Sequence, residues 1–396
     1  MLGVGLRSPT ATTPKTFQFA PPRLDLYNRQ DWEEALMPMF KIMVSLFVTV
    51  VLAAVLTPFV RRLAFILGAV DQPNARRVNK IPMPTMGGLA IFFAFNFSTF
   101  VLLRPQFNTH LLFSLFLAQA VIILTGMIDD IKELTPRQKM LGIFIAALIV
   151  YFLVGTRMND INIGSWHIEL GWWSFPVTII WILAITNAIN LLDGLDGLAT
   201  GVSIISLMTM GTIGFFFLSV AEVGTPIMVF VLAAALMGFL PYNFHPAKLF
   251  LGDTGALYIG FMLSVLSLQG LKNVTFITLI IPIMILGVPI TDTTYAIIRR
   301  VLNKKPISQA DKHHLFHRLM QMGLTHRQTV LVIYGISLIF SLIALLFPLS
   351  SLWATVFLTI FVLLGIEVFV ESIGLLGKDR APLLHLIRRY VGKLTK

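Results

Sequence analysis

Four polar residues recur every three positions in the stretch NAINLLDGLDGLAT: Asn187, Asn190, Asp193 and Asp196. Side chains at this spacing stay near one face of a helix, and amide and carboxylate oxygens are the ligands that Mg²⁺ prefers. The stretch therefore predicts a site for Mg²⁺ and nucleotide hydroxyls, with Gly194 loosening the backbone for close approach of a ligand. The alternative is a capped turn between two helices, which explains one aspartate but not the other polar residues.

Three further carboxylates stand at the ends of apolar runs. Asp129 and Asp130 end the run VIILTGMIDD, although the C-terminus of a helix disfavours anions. The pair therefore needs a cation, either Mg²⁺ or Lys139, unless it is an ordinary solvated helix end. Asp253, in FLGDTG, precedes another apolar run. There it can serve as an N-cap, or anchor a metal that bridges phosphates at the helix N-terminus, and the two roles are compatible.

Histidine and arginine form a further cluster in RRVLNKKPISQADKHHLFHRL. His314, His317 and Arg318 fall on one helical face, and such donors favour an anion pocket for pyrophosphate. Zinc binding and a solvated basic face are the alternatives, and the HExxH pattern of zinc enzymes is absent. Arg76 and Arg77, in DQPNARRVNKIPMPTMGG, either grip phosphate or only supply positive charge to an inner loop.

The elements that carry these residues are long apolar runs. The 396 residues are 56 % hydrophobic and 12 % charged, with a mean hydropathy of +0.83, and a helix of about 20 apolar residues spans a bilayer. This composition excludes a soluble enzyme, a disordered chain and a collagen-like fibre, and the lack of cysteine excludes disulfides and thiolate zinc sites. We predict an all-α membrane protein, a polytopic bundle of about 11 transmembrane helices, with spans at residues 42–60, 87–103, 111–128, 140–154, 174–190, 198–218, 225–243, 255–271, 274–298, 328–348 and 352–373.

The positions of lysine and arginine predict the orientation. With the N-terminus outside, 22 of the 30 Lys and Arg residues fall in the inner segments, and cytoplasmic loops carry this excess. We therefore expect the N-terminus outside, the C-terminus inside, and every polar cluster described above in cytoplasmic loops or at cytoplasmic ends of spans. The net charge of +11 then reflects topology and attraction to anionic lipid and substrate, and it does not indicate nucleic-acid binding.

The chain outside the spans divides into a few expected segments. Residues 1–39 form a flexible N-terminal extension, or they precede a later start codon, and residues 40–376 form the polytopic domain. Residues 157–173 alternate apolar and polar side chains, which predicts a short hairpin outside the membrane. Residues 377–396 predict a basic amphipathic cytoplasmic tail on the inner membrane surface.

A secondary transporter or channel is the alternative class of protein. It predicts ionisable residues near the middle of the bilayer and often internal repeats. The predicted spans are nearly bare of charge in their middles, and no fixed repeat is evident. An enzyme with its site at one membrane face is therefore favoured.

Five segments together resemble the polyprenyl-phosphate N-acetylhexosamine-1-phosphate transferases. They are DQPNARRVNKIPMPTMGG, GMIDDIKELTPRQK, NAINLLDGLDGLATG, FLGDTGALYIG and DKHHLFHRL, in the family's order. The resemblance covers about residues 42–373. The histidine segment is similar to the branch that uses UDP-N-acetylglucosamine and undecaprenyl phosphate, while phospho-N-acetylmuramoyl-pentapeptide transferase is the alternative. Asn79 and Phe316 depart from histidines that are common in the family.

The resemblance implies a phosphoryl transfer in which the lipid phosphate attacks the β-phosphorus of a UDP-sugar and UMP leaves. The implied cofactor is Mg²⁺, for which Mn²⁺ could substitute, with Asp253 as the main ligand and Asn190 nearby. Lys139 matches the family's lysine for the lipid phosphate. The candidate catalytic residues that follow are Asp129, Asp130, Asp253 and His314. The candidate substrate-binding residues are Arg76, Arg77, Thr85, Lys139, Asn187, Asn190, Asp193, Asp196, Phe250, His317 and Arg318.

The implied partners are a UDP-N-acetylhexosamine donor, a polyprenyl phosphate acceptor and membrane lipid. The resemblance places the protein in a bacterial plasma membrane, with a cytoplasmic active site that starts teichoic acid, O-antigen, lipopolysaccharide or a related envelope glycan. The sequence leaves the oligomeric state open between a monomer and a homodimer.

Overall fold

The computed structural model describes residues 29–72, 82–163, 166–217, 224–270, 279–306 and 313–375, with the single residues 382 and 384. The chain divides into two compact units, Met1–Lys41 and Ile42–Lys396. Helix α1 begins at Arg29, so residues 29–39 of the expected flexible extension are helical. Residues 1–28, most of the expected C-terminal tail, and Arg76, Arg77 and Asn79 lie outside the described residues.

The described part of the chain is predominantly helical. Its helices are α1 Arg29–Leu67, α2 Gly88–Phe97, α3 Thr109–Lys132, α4 Pro136–Ile149, α5 Ser174–Leu192, α6 Leu198–Phe217, α7 Gly224–Asn243, α8 Gly252–Gly270, α9 Ile280–Ile285, α10 Gly287–Leu302, α11 Leu315–Gln321, α12 His326–Leu346 and α13 Leu352–Ser372. Short π-helical turns extend α2 to Leu102 and α4 to Val154.

Eight of these helices are long and apolar enough to cross a membrane. They coincide with eight of the eleven predicted spans, so the prediction of an all-helical polytopic membrane protein is confirmed at this level. The other predicted ranges also carry described helices: the shorter α2 with its π turn, the 19-residue α8, and the pair α9 and α10. The count of eleven and the sides of the termini stay predictions.

Helix α8 lies in the centre of the bundle. It packs against α2, α3, α5, α6 and α7, and its large side chains Tyr258 and Phe261 are fully buried. Close approach depends on glycine: a Cβ atom at Gly126 of α3 would lie 2.6 Å from the main-chain nitrogen of Thr254. The first turn of α8, which contains Asp253, is thereby held against the end of α3, which contains Asp129 and Asp130.

Capping fixes where α4 and α12 begin. Thr135 and Gln138 form a reciprocal capping box at the start of α4, with Pro136 as its first residue, and Thr325 and Gln328 form the same motif at α12. Such a box satisfies two backbone donors that the helix itself leaves unpaired. It places Lys139 in the first turn of α4 and His326 at the first position of α12.

Two small antiparallel sheets complete the described structure. Strand β1 (Val70–Asp71) pairs with β2 (Met83–Pro84), and the residues between the two strands in sequence include Arg76 and Arg77, which lie outside the described residues. Strand β3 (Asp160–Ile163) pairs with β4 (Trp166–Glu169), which is the hairpin expected between residues 157 and 173. That the hairpin lies outside the membrane stays a prediction.

Candidate active site

The carboxylate of Asp253 is the centre of the candidate site. Its Oδ1 accepts hydrogen bonds from Lys139 Nζ at 2.9 Å and from Asn190 Nδ2 at 2.5 Å. Lys139 also forms an ion pair with Asp129 Oδ2 at 2.5 Å, and the other oxygen of Asp129 accepts a hydrogen bond from the amide of Leu134 at 2.6 Å. Residues from α3, α4, α5 and α8, which lie far apart in the sequence, therefore meet at one point.

Asp130 caps helix α8 from the neighbouring helix α3. Its carboxylate accepts hydrogen bonds from the amide of Asp253 at 2.9 Å, and from the amide and hydroxyl of Thr254 at 3.0 and 2.5 Å. The first backbone amides of a helix need such outside acceptors. Gly252 precedes them with a φ of +71°, and a Cβ there would lie 2.6 Å from Asp130 Oδ2. The sequence predicted that Asp253 caps this helix. In the structure Asp130 accepts the hydrogen bonds of the first turn instead.

The site contains more carboxyl groups than cationic side chains. Burial, and then the charges of Asp253, Asp130 and Asp196, raise the pKa of Asp193 well above its usual value. Lys139 alone does not balance the carboxylates that surround it. Clustered carboxylate and amide oxygens are a donor set that suits a hard divalent cation such as Mg²⁺, so the residues present fit the metal that the sequence implies.

A cavity of about 660 Å³ is lined by Asp253, Lys139, Asn190, Asp130 and Asp193, whereas Asp129 is not in its lining. Nine of the residues predicted from sequence lie on its wall, namely Thr85, Asp130, Lys139, Asn190, Asp193, Asp196, Phe250, Asp253 and His317. A cavity of roughly 300–1,000 Å³ is the size that holds a small-molecule ligand. The volume suits a nucleotide-sized ligand, and the excess of carboxyl groups means that an anionic ligand would need a cation beside it.

A second polar group lies on the cavity wall around Asp196. Its Oδ2 pairs with His245 Nδ1 at 2.8 Å and accepts a hydrogen bond from the amide of Ala247 at 3.1 Å. The His245 ring stacks on His326, with centroids 4.1 Å apart and planes at 23°. The three side chains have metal-ligating atoms within 4.8 Å of one another. Lone pairs of face-to-face imidazoles run nearly parallel and do not converge on one ion, so the group is better described as a hydrogen-bonded support for Asp196.

The prediction that all four polar residues lie on one helix face is wrong for Asp193 and Asp196. Helix α5 ends at Leu192, with Asp193 at its C-cap, so Asp193 and Asp196 are held by the following loop. The Asn187 amide donates to the Leu183 carbonyl at 2.7 Å and to Met140 Sδ at 3.1 Å, away from the cavity lining. Each three-residue step leaves about 60° of rotation on a helix, which explains why Asn187 and Asn190 have different surroundings.

Only part of the histidine segment reaches the cavity. Phe316 and His317, in α11, line the cavity, and their rings lie 4.1 Å apart. His314 and Arg318 are not in the cavity lining. His314 is buried, and its Nδ1 lies 2.8 Å from Asp292 Oδ2.

Sequence reasoning missed Asp292, His245 and His326. Asp292 offered a signal, because it is an ionisable residue inside the predicted span 274–298, and such residues are functional candidates by default. His245 lies between the predicted spans 225–243 and 255–271, near Asp253, where a single histidine carries no spacing signal. His326 stands at a helix start that looks like an ordinary capped terminus, so its position near Asp196 follows only from the fold.

The fold and the site define a polytopic membrane protein whose helix ends enclose a carboxylate-rich cavity. The model of glycosyl transferase family 4 matches residues 112–271, which contain the aspartates and asparagines at the centre of the cavity. Over 89 % of its length the chain is 42 % identical to a probable undecaprenyl-phosphate N-acetylglucosaminyl 1-phosphate transferase of Bacillus subtilis, of which it covers 98 %. The chain belongs to this family of polyprenyl-phosphate N-acetylhexosamine-1-phosphate transferases.

More distant relatives come from two branches. A decaprenyl-phosphate N-acetylglucosaminephosphotransferase of Mycobacterium tuberculosis is 33 % identical over 71 % of this chain and 77 % of the relative. A phospho-N-acetylmuramoyl-pentapeptide-transferase of Staphylococcus aureus is 31 % identical over 76 % of this chain and 97 % of the relative.

Proposed function

We propose that the protein transfers N-acetylglucosamine 1-phosphate from UDP-N-acetylglucosamine to undecaprenyl phosphate and releases UMP. The observation that carries the proposal is the Asp253 carboxylate, bound by Lys139 and Asn190 on the wall of a nucleotide-sized cavity. The names of the Bacillus and Mycobacterium relatives support the donor sugar and a polyprenyl phosphate acceptor.

The proposed reaction is a displacement at the β-phosphorus of the donor. A phosphate oxygen of the lipid forms a bond to that phosphorus, the bond to the oxygen that bridges the two phosphates breaks, and UMP leaves with that oxygen. Such reactions depend on positioning and charge neutralisation more than on covalent chemistry. Because the second pKa of a phosphomonoester is about 6, the lipid phosphate is largely a dianion at neutral pH, so a general base, for which Asp129 and Asp130 are the candidates, is optional.

The side chains of the cavity have complementary roles in this reaction. Lys139 lies between Asp129 and Asp253, where its ammonium can attract the lipid phosphate and hold it near the donor. Phe250, Thr85 and Asp196 line the part of the cavity that we assign to the nucleotide. His317, which lines the cavity beside Phe316, would supply a donor for the pyrophosphate.

Mg²⁺ is the proposed cofactor, with Mn²⁺ as a substitute. Asp253 and Asn190 would hold it, with Asp193 nearby, and when bound it would neutralise phosphate charge. The excess of carboxylates around Lys139 supports this assignment. To bind the metal, Asp253 would either lose its hydrogen bond from Lys139 or keep it while also contacting the ion. The position of Lys139 would therefore depend on metal binding by Asp253.

We assign the donor to the N-acetylglucosamine branch and not to the muramoyl-pentapeptide branch. The higher identity to the Bacillus relative than to the Staphylococcus relative supports this choice. So does the segment His314–Arg318, which lacks the triple histidine and the following acidic residue that the resemblance implies for the muramoyl-pentapeptide branch. The Phe316 ring lies against Gly194, where a Cβ would come 2.6 Å from the ring atom Cε1, and both residues line the cavity.

The proposal places the site on the cytoplasmic face of a bacterial plasma membrane, where UDP-sugars are made. The excess of Lys and Arg in the segments around the site supports this orientation. The product would be the first lipid-linked intermediate of a cell-envelope glycan.

The test is release of UMP by the purified full-length protein in detergent, with Mg²⁺, undecaprenyl phosphate and UDP-N-acetylglucosamine. Asp160→Asn is a matched control, because Asp160 is in the β3–β4 hairpin and not in the cavity lining. We expect UMP from the wild type and the control, and none without the lipid phosphate. A folded wild-type protein that releases no UMP from any UDP-N-acetylhexosamine would refute the proposed function.

A further inference from the structure

Asp292 makes two hydrogen bonds to the start of helix α11 from inside the bundle. Its Oδ2 lies 2.8 Å from His314 Nδ1, and its Oδ1 accepts a hydrogen bond from the amide of Leu315 at 2.7 Å. Asp292 is 3 % exposed and His314 is 5 % exposed. The carboxylate and the imidazole are therefore withdrawn from water, where the contact between them is much stronger than at a surface.

These two contacts fix the beginning of α11. His314 is the N-cap of this helix but makes no capping hydrogen bond with its own side chain, so Asp292 of α10 supplies the acceptor instead. Leu315, Phe316 and Leu319 are buried behind this point. The next two residues after Leu315, Phe316 and His317, are the ones that reach the cavity wall.

The Asp292 carboxylate also selects the form of the His314 ring. An ionised carboxylate can only accept a hydrogen bond, so with Asp292 ionised the proton of this contact sits on His314 Nδ1. In the neutral ring the second nitrogen, Nε2, is then an acceptor. The hydrogen bond at one nitrogen commonly sets the state of the other in this way.

We propose that Asp292 is a positioning residue of the transferase site. It holds His314 in the Nδ1-protonated form and docks α11 so that Phe316 and His317 face the cavity. It touches no residue that we assign to the metal and acts on the reaction only through His314 and α11. The inference rests on the proposed function for its effect on turnover, but the state of the His314 ring can be measured without turnover.

The first measurement is made on the wild-type protein. With ¹⁵N-labelled histidine, the two ring nitrogens give chemical shifts that distinguish the Nδ1-protonated from the Nε2-protonated ring, and the loss of signals in His314→Gln identifies those of His314. We expect a protonated Nδ1. A neutral ring with its proton on Nε2 would overturn the proposal, whether or not the protein releases UMP.

The second measurement compares Asp292→Asn with His314→Gln and with the double variant. The asparagine keeps the shape and can accept from Leu315, but its NH₂ group faces His314 Nδ1 and favours the other tautomer. We expect kcat to fall by about 10- to 100-fold, as for carboxylates that orient functional histidines in metal sites, with a much smaller change in KM for the donor. Asp160→Asn, which alters a carboxylate 4.0 Å from His167 in the distant hairpin, should stay at the wild-type value.

The double variant separates a positioning role from a general structural one. If Asp292 acts through His314, the double variant should be no slower than the slower single variant. Losses that multiply, or an Asp292→Asn variant within twofold of wild type, would overturn the proposal. If Asp292→Asn does not fold, the wild-type chemical shifts still decide. An inactive wild type with the expected His314 shifts would refute the proposed function and leave the contact between Asp292 and His314 in place.

Discussion

Replacing Asp130 by asparagine tests whether this residue is a base or a cap. The variant has one carbonyl oxygen in place of two carboxylate oxygens, while Asp130 now accepts from two amides and one hydroxyl. The NH₂ group of the asparagine would face the Thr254 amide, which is itself a donor. One buried amide is then left without an acceptor, at a cost of about 1–3 kcal/mol.

The lost charge adds to this cost. A carboxylate at the N-terminus of a helix contributes about 0.3–1 kcal/mol, and up to about 2 kcal/mol when partly buried. We therefore expect Asp130→Asn to lower the free energy of unfolding by about 2–4 kcal/mol. Because the Asp253 amide is one of the bound donors, we also expect Asp253 to shift, and a displacement of about 1 Å at a site commonly costs about 100-fold in rate.

Both effects can be measured on one preparation. Thermal unfolding is followed by intrinsic fluorescence, because the chain has six tryptophans whose emission changes when the protein unfolds. Thiol-reactive dyes are unsuitable because the chain has no cysteine. UMP release gives the rate. We expect Asp130→Asn to have both a lower unfolding temperature and a slower reaction. The control Asp160→Asn should show neither change. An inactive Asp130→Asn with an unchanged unfolding temperature would contradict the cap and favour a general base.

Three further predictions concern the metal, the sugar and the N-terminal segment. Asp253→Asn should lose activity by more than the roughly 10²–10³-fold typical of one transition-state contact while the protein purifies normally, and near-normal UMP release would remove Asp253 from the proposed metal site. UMP release from UDP-N-acetylmuramoyl-pentapeptide should be slower than from UDP-N-acetylglucosamine by at least about 100-fold, because a pocket that hydrogen-bonds one substrate rejects an analogue that leaves its polar groups unpaired. The reverse preference would move the protein to the muramoyl-pentapeptide branch. A chain that starts at Met37 should keep its turnover within about twofold if the predicted orientation puts the N-terminus opposite the site, and a properly inserted but inactive truncation would show the segment to be part of the enzyme.

The sequence predicted the helices well because the signal for a span is local. A run of apolar residues carries its own length and hydropathy, so each predicted range contains a described helix. The local signal for a break between two helices is weaker. Helix α9 ends at Ile285 and α10 begins at Gly287, and nothing in the apolar pattern of the predicted span 274–298 marks that break.

The members of the site were easier to predict than their roles. Asp129 and Asp130 look equivalent in sequence, but adjacent residues on a helix point about 100° apart. One therefore reaches Lys139 and the other reaches the first turn of α8. The partner of His314 lies 22 residues away, on another helix, and no spacing rule connects the two.

The caps that neighbouring helices supply also constrain how the protein is assembled. The first amides of α8 find their acceptor on α3, and the start of α11 finds its acceptor on α10. Until the neighbouring helix is in place, these amides lack the carboxylate that accepts their hydrogen bonds, and a buried amide without an acceptor is costly. The side chains that arrange the cavity therefore also join the helices: a bundle in which α3 and α8 are not packed together lacks both the cap of α8 and the contacts around Asp253. Loss of this one contact would disturb the packing and the site together.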